Sequence, residues 1–198
     1  YIQNLWEAIS KIEQNNLGLN YLNDLKQSNS QILQKEFSDI NLISLLADYL
    51  SINIPDSVTI IKKSAFENCE KLKEIRLPNS LEIIDETCFY KCIELESVFI
   101  PNTVKIIEYG SFDYCSKINN VLIPNSVVTI DNCAFGDCTN LVNITLPDSL
   151  KTIGGGLFLR CKNLKYVNIP KSIEVIPEYC FSDCIELENI EIPNGVKC

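Results

Sequence analysis

Three residue types recur along this chain at one fixed interval of 23 positions. Proline keeps the interval at Pro55, Pro78, Pro101, Pro124, Pro147, Pro170 and Pro193. Phenylalanine keeps it at Phe66, Phe89, Phe112, Phe135, Phe158 and Phe181, and cysteine at Cys69, Cys92, Cys115, Cys138, Cys161 and Cys184. We call a set of residues that recur at the same position of every unit a column. Three columns that keep one period without insertions or deletions predict a solenoid of stacked coils. Six full units run from Pro55, and a seventh is truncated.

Each unit also carries the pattern of a short strand. Ile75 and Leu77 alternate with Arg76, as expected when one face of a strand is buried and the other is solvated. Pro78 then ends the strand, because proline lacks the N–H that a ladder needs. Successive strands stacked in parallel, about 4.8 Å apart, would bury one continuous core. The sequence therefore predicts an α/β repeat fold with a parallel β-sheet on the concave face of the solenoid.

The rest of each unit returns the chain to the start of the next strand. Val58, Ile61, Phe66 and Cys69 are predicted to point inward from the convex side. A short helical or 3₁₀ turn is expected across the stretch Ala-Phe-x-x-Cys. A hydroxyl follows each proline by two residues, and we expect it to satisfy backbone groups at the bend. These hydroxyls belong to Ser57, Ser80, Thr103, Ser126, Ser149 and Ser172.

The repeated pattern Leu-x-x-Ile-x-Leu-Pro-x-Ser-Leu-x-x-Ile-x-x-x-Ala-Phe-x-x-Cys resembles the BspA-type leucine-rich repeat. The resemblance covers about residues 49–198, and it implies a leucine-rich-repeat solenoid. Members of that family occur in anaerobic bacteria and parasitic protists, often as surface or secreted proteins implicated in adhesion. The resemblance thus implies a cell-surface or secreted location. Free cysteines are equally compatible with the cytoplasm.

Residues 1–48 lack the repeat. Ile2, Leu5, Trp6, Ile9 and Ile12 have helical spacing, which predicts an amphipathic helix in a short helical N-terminal segment. Such a segment can cap the exposed apolar end of the first coil, as solenoids require. Alternatively, it is a separate docking or oligomerisation element. Since the chain contains no Met, we expect it to be a fragment or a processed form.

Composition excludes several classes of function. The chain has no His, which removes the usual general base and the commonest transition-metal ligand. The net charge of −9 argues against nucleic acid, and no apolar run approaches the length of a membrane span. We therefore expect no catalytic residues, no metal, no cofactor and no membrane insertion.

The ten cysteines and the triple glycine have structural interpretations. The cysteines of the 23-residue column, with Cys88 and Cys180, are predicted to be small buried side chains with free thiols. Stacked Cβ atoms at the strand spacing of about 4.8 Å are too far apart for a disulfide, which needs about 3.8 Å. Gly154-Gly155-Gly156 lacks the spacing of a phosphate loop and is placed in a convex turn.

The candidate binding residues lie where the strands point outward on the concave surface. Only these columns can encode specificity, because packing fixes the buried ones. The candidates are Arg76, Phe99, Asn120, Leu122, Asn143 and Tyr166. Phe99 and Leu122 are the apolar anchors of a predicted protein-binding site, although scattered apolar residues occur on any surface. The alternative function is a scaffold, or the targeting arm of a larger protein whose catalytic or anchoring part lies elsewhere.

Overall fold

The structure is a computed structural model that describes residues 51–54, 56 and 58–197. The helical segment expected at residues 1–48 lies outside these residues. Seven three-residue strands form one parallel sheet in the order β1-β2-β4-β6-β8-β10-β11. They are β1 (Ser51–Asn53), β2 (Glu74–Arg76), β4 (Ser97–Phe99), β6 (Asn120–Leu122), β8 (Asn143–Thr145), β10 (Tyr166–Asn168) and β11 (Asn189–Glu191). The predicted parallel sheet is therefore confirmed.

The middle residue of each strand points into the coil. In β4, Val98 is buried while Ser97 and Phe99 are exposed, and β1, β2, β6, β8 and β10 repeat this pattern. The register advances by one full unit per strand, so that Ile75 pairs with Val98 and Val98 with Val121. The predicted alternation and register are confirmed.

A second parallel sheet lies on another side of the coils, and the sequence analysis did not predict it. Its strands are β3 (Ile83–Ile84), β5 (Ile106–Ile107), β7 (Thr129–Ile130) and β9 (Thr152–Ile153). In each strand the second residue is buried and the first is more exposed. We call this four-stranded sheet the side sheet.

The phenylalanine column forms a stacked spine through the core. Neighbouring rings have centroids 5.1–6.1 Å apart and interplanar angles of 5–20°. Phe66 to Phe158 are fully buried, whereas Phe181 is only partly buried in the last coil. The predicted spine is confirmed, and its stacking supplies contacts between every pair of adjacent coils.

The described residues contain no helix, so the helical turn predicted on the convex side is wrong and the α/β class is not confirmed. Here the N–H groups alternate between two kinds of acceptor. The N–H of Phe66 donates to the Cys88 carbonyl of the next coil, whereas that of Cys69 donates back to Phe66. Positive φ angles, such as 58° at Ser64 and 60° at Asn68, interrupt any helical run. The coils are those of a parallel β-solenoid.

The column cysteines are buried, as predicted, except Cys184, which is partly buried, and several of them also donate hydrogen bonds. The Sγ of Cys92 lies 3.1 Å from the Phe66 carbonyl oxygen, and Cys115, Cys138, Cys161 and Cys184 repeat the contact one coil further on. Burial raises the pKa of Cys115, Cys138 and Cys161, so these groups remain thiols and keep the proton that they donate. None of the nine cysteines within the described ranges forms a disulfide.

The hydroxyls after the prolines follow the prediction in part. Ser80 and Ser149 donate to the carbonyls of Val58 and Val127 in the preceding coil, at 2.7 and 2.8 Å, and Ser172 makes the equivalent contact. Thr103 and Ser126 keep the same position, but their buried oxygens have no partner among the described residues. The hydroxyl column thus ties coils together at three positions rather than throughout.

Candidate functional site

The structure places all six predicted binding residues on one face of the seven-stranded sheet. Arg76, Phe99 and Leu122 occupy the third position of consecutive strands and pair with one another in register. Asn120, Asn143 and Tyr166 occupy the first position of β6, β8 and β10, also in register. Every one of them is exposed. We call the outward side of this sheet, from Ser51 to Glu191, the sheet face.

Three large apolar side chains on the sheet face are exposed. Phe99 is 55% exposed, Leu122 72% and Tyr166 50%. Phe99 and Leu122 are adjacent across β4 and β6, and both border an open groove of about 610 Å³ that runs from β1 to β6. Large apolar groups held on a rigid strand can bury surface against a partner without ordering a loop first.

Two further residues extend the exposed surface around Phe99 and Leu122, and both were missed by the sequence analysis. Asn119 lines the groove beside Asn120, and Val142 is exposed one coil further along. Both precede a strand by one residue, at a margin that strand alternation does not assign to either side. The signal that could have found them is their membership of the 23-residue column that also contains Lys73 and Glu96.

Charge is absent from the middle of the sheet face. Across β6 and β8 the outward residues are Asn120, Leu122, Asn143 and Thr145, none of them ionisable. This contrasts with a chain whose net charge is −9. An uncharged patch with amide groups around apolar anchors can be desolvated without removing ions from water, which makes it suited to a macromolecular contact.

The far end of the sheet face is held in place by side-chain contacts. The Tyr166 hydroxyl donates to Glu188 at 2.9 Å, and this bond raises the pKa of Tyr166. Lys165 pairs with the same carboxylate at 3.4 Å. The Asn168 amide bridges the backbone of Leu146, accepting from its N–H at 2.8 Å and donating to its carbonyl at 2.9 Å.

A stripe of residues that is apolar only in part runs along the side sheet, and the sequence analysis also missed it; Thr129 and Thr152 interrupt the apolar residues. Ile83 is 43% exposed on β3, and Ile60 and Val175 are exposed at the equivalent positions of the first and last full coils. Carboxylates border this stripe at Asp85, Glu108 and Asp131. Burial and the neighbouring acids raise the pKa of Glu108. The side sheet therefore combines isolated apolar residues with neighbouring carboxylates, whereas the middle of the sheet face is uncharged.

Charged and aromatic side chains contact one another on the convex turns. Nε of Arg160 donates to Asp137 at 2.9 Å, and Lys91 lies over the rings of Tyr90 and Tyr114. Burial, followed by the nearby Asp137, raises the pKa of Asp113 to about 6. Gly154, the first residue of the triple glycine, approaches the Asn132 backbone so closely that a Cβ would lie 2.1 Å from its nitrogen. These contacts hold adjacent coils together.

The described ranges contain neither a candidate metal centre nor a candidate membrane span. Residues 51–54, 56 and 58–197 contain no group of three or more His, Cys, Asp or Glu side chains that could hold a metal ion. No helix in this part of the chain is long and apolar enough to cross a membrane.

Solved structures of bacterial repeat proteins resemble this one. A leucine-rich repeat protein from T. pallidum superposes with a TM-score of 0.70 at 26% identity, covering 73% of this chain and 72% of that one. A leucine-rich repeat protein from Bacteroides ovatus gives a TM-score of 0.68 at 31% identity, covering 74% of this chain and 46% of that one. This chain thus spans just under half the length of the second protein. No curated protein sequence matches it.

The sequence also matches the model of one protein family over most of its length. The model describes the BspA type leucine rich repeat region, and it matches six copies over residues 30–132 and 107–198. The match begins before the boundary at residue 49 that the resemblance suggested. Leucine-rich repeat proteins are generally protein-interaction modules. The chain belongs to the BspA-type leucine-rich repeat family.

Proposed function

We propose that this protein is a non-catalytic binding module that docks a protein partner on the sheet face, as a surface adhesin does. The observation that carries the proposal is the exposed pair Phe99 and Leu122 at the edge of the groove. Aromatic and aliphatic anchors of this kind dominate binding energy when a partner covers them. Arg76, Asn120 and Asn143 surround the pair with hydrogen-bonding groups.

The rigidity of the sheet face supports the same function. Parallel pairing on both sides fixes the backbone of β4 and β6, and Val98 and Val121 anchor these strands in the core. Because the backbone is already ordered, docking adds no cost of ordering a loop to the loss of translational, rotational and side-chain freedom. Fully burying Phe99 and Leu122 contributes about 1.5–3 kcal/mol each.

The experiment is a pull-down with the wild type and two variants. Phe99→Ser with Leu122→Ser removes both anchors, and we expect retention of a captured protein to fall by about 30-fold or more, as for hot-spot residues. Ile83→Ser removes an exposed apolar side chain from the side sheet and serves as the matched control. Equal retention by the double variant and the wild type, with loss in the control, would overturn the proposal.

A further inference from the structure

The charges at the two ends of the sheet face follow an ordered pattern. The residue before each strand forms a margin row that reads Lys73, Glu96, Asn119, Val142, Lys165 and Glu188 from β2 to β11. The third strand position reads Arg76, Phe99, Leu122, Thr145, Asn168 and Glu191. In both rows the middle is uncharged, and each charge at one end has an opposite charge at the mirror position of the other end.

The margin row belongs to the same side of the molecule as the sheet face. Asn119 lines the groove together with Asn120 and Leu122. At the other end, Glu188 contacts the hydroxyl of Tyr166, which is an outward residue of β10. A partner that covers the outward strand residues therefore also meets the margin charges.

A pattern of this kind is complementary to itself when reversed. If a second copy faces this one across a two-fold axis parallel to the strands, each row meets itself with the strand order inverted. With the axis between β6 and β8, strand β2 faces β11 and β4 faces β10. Arg76 then faces Glu191 of the second copy, Lys73 faces its Glu188, and Glu96 faces its Lys165. Each pair occurs twice, and only Glu74 faces no charge.

The complementarity is specific to this register. A shift by one strand in one direction places Lys73 against Lys165 of the second copy. A shift in the other direction places Glu96 against Glu188. Like charges brought together in this way are repulsive and select against both shifts. In the matched register the two Leu122 side chains lie on either side of the axis, offset by about one strand spacing of 4.8 Å.

We propose that the partner docked on the sheet face is a second copy of this chain, in the antiparallel register centred between β6 and β8. The inference rests on the proposed function, since it names the partner of the same surface. Six strands about 4.8 Å apart and four residues of about 3.3 Å give a face of roughly 29 by 13 Å. The pair then buries on the order of 800 Å² in total, which is below the range of stable specific complexes, so the dimer is expected to be weak and reversible.

Among the ionic contacts, that between Arg76 and Glu191 provides the sharpest test. Lys165 and Glu188 already pair within one chain, so association exchanges their partners rather than adding a new contact. Arg76 and Glu191 lie at opposite ends of the face and are both exposed. Reversing the charge of Arg76 or of Glu191 changes a surface residue only, which leaves the fold intact.

The test is sedimentation equilibrium of the whole chain over about 10 μM to 1 mM, the range in which an interface of this size associates. Wild-type protein is expected to show a monomer–dimer equilibrium. Arg76→Glu alone and Glu191→Arg alone each place two like-charge pairs in the interface, and each is expected to weaken dimerisation tenfold or more. The two changes together restore opposite charges and are expected to return dimerisation to within about threefold of wild type. Lys151→Glu, at an exposed position before β9 of the side sheet, is the control and leaves dimerisation unchanged.

Three outcomes would overturn the proposal. The first is wild-type protein that stays monomeric throughout the concentration range. The second is a dimer that both single charge variants leave unaffected, and the third is a double variant that remains as weak as the singles. None of these outcomes touches the proposed function. That function fails separately, when Phe99→Ser with Leu122→Ser retains a captured partner as well as the wild type does.

Discussion

The interior of the coils and the sheet face are built from alternate residues of the same strands, yet they vary in opposite ways. The buried middle position of β1, β2, β4, β6, β8 and β10 is always Ile or Val. The exposed third position of the same strands changes from Asn to Arg, Phe, Leu, Thr and Asn. Packing against identical neighbouring coils restricts the interior, because each side chain must fit the one above it and the one below. The sheet face has no such restriction and is free to carry a binding pattern.

The largest effect is expected at the centre of the phenylalanine spine. Phe112→Ala removes a fully buried ring that stacks on two others, at 5.1 and 5.3 Å. Lost transfer free energy and the resulting cavity should lower the free energy of unfolding by about 3–5 kcal/mol. Phe181→Ala, in the partly buried last coil, should cost clearly less. Urea unfolding of both variants checks this, and equal losses would contradict the described burial.

A smaller effect is expected where two coils approach most closely. Gly154→Ala would place a Cβ 2.1 Å from the Asn132 backbone nitrogen, so the backbone must move. Overpacking of this kind costs about 1–3 kcal/mol. Gly155→Ala meets its nearest atom at 3.2 Å and is the matched control, with a smaller expected loss. Thermal unfolding that ranks the two variants in the reverse order would refute this description of the convex turn.

The convex turn should also make stability depend on pH. The pKa of Asp113 is raised to about 6 in the folded protein, above the unfolded value of about 3.9. Its charged form therefore destabilises the fold above pH 6, and this cost disappears as the pH falls from 6 to 4. Asp113→Asn should raise the free energy of unfolding by about 1–2 kcal/mol at pH 8, after allowance for solvent screening, and have no effect near pH 4.

Unfolding measured at several pH values checks this expectation. Asp148→Asn, at an exposed position of another turn, is the control. A gain from Asp113→Asn that is the same at pH 4 and pH 8 would mean that the charge of Asp113 is not its cause.

The smallest effect on stability is expected on the sheet face itself. Phe99→Ser combined with Leu122→Ser changes only exposed side chains, so the free energy of unfolding should shift by less than about 0.5 kcal/mol per site. The comparison with Phe112→Ala is the informative one, because both changes truncate a phenylalanine of the repeat array. A loss of several kcal/mol in the double variant would mean that these side chains stabilise the fold and are not reserved for binding.

Much of the architecture could be predicted from the repeat. The columns of Pro, Phe and Cys gave the coil length, and the alternation around Arg76 placed the candidate residues on one face. The side sheet could not be predicted in this way, because a two-residue strand such as Ile83–Ile84 is too short to show alternation. The convex turn was misjudged because its positive φ angles fall on residues such as Lys91 and Arg160, whose types do not favour that conformation.

The candidate site was predicted only in outline, for a related reason. Exposure of Phe99 and Leu122 followed from alternation within one strand. The contributions of Asn119 and Val142 depend on how the chain enters each strand, which the period alone does not reveal. The bridge from Asn168 to the Leu146 backbone depends on a side-chain orientation and became apparent only in three dimensions.

Hydroxyl-radical footprinting shows whether a partner docks on the sheet face, since it measures the accessibility of individual side chains in the free and bound states of the unmodified protein. Phe99, Leu122 and Tyr166 report on the sheet face, and Tyr109 and Tyr179, which are also exposed, report on other surfaces. We expect that binding of a partner protects Phe99, Leu122 and Tyr166 from oxidation and leaves Tyr109 and Tyr179 unchanged. Protection of Tyr109 and Tyr179, with Phe99 and Leu122 oxidised as in the free protein, would contradict it.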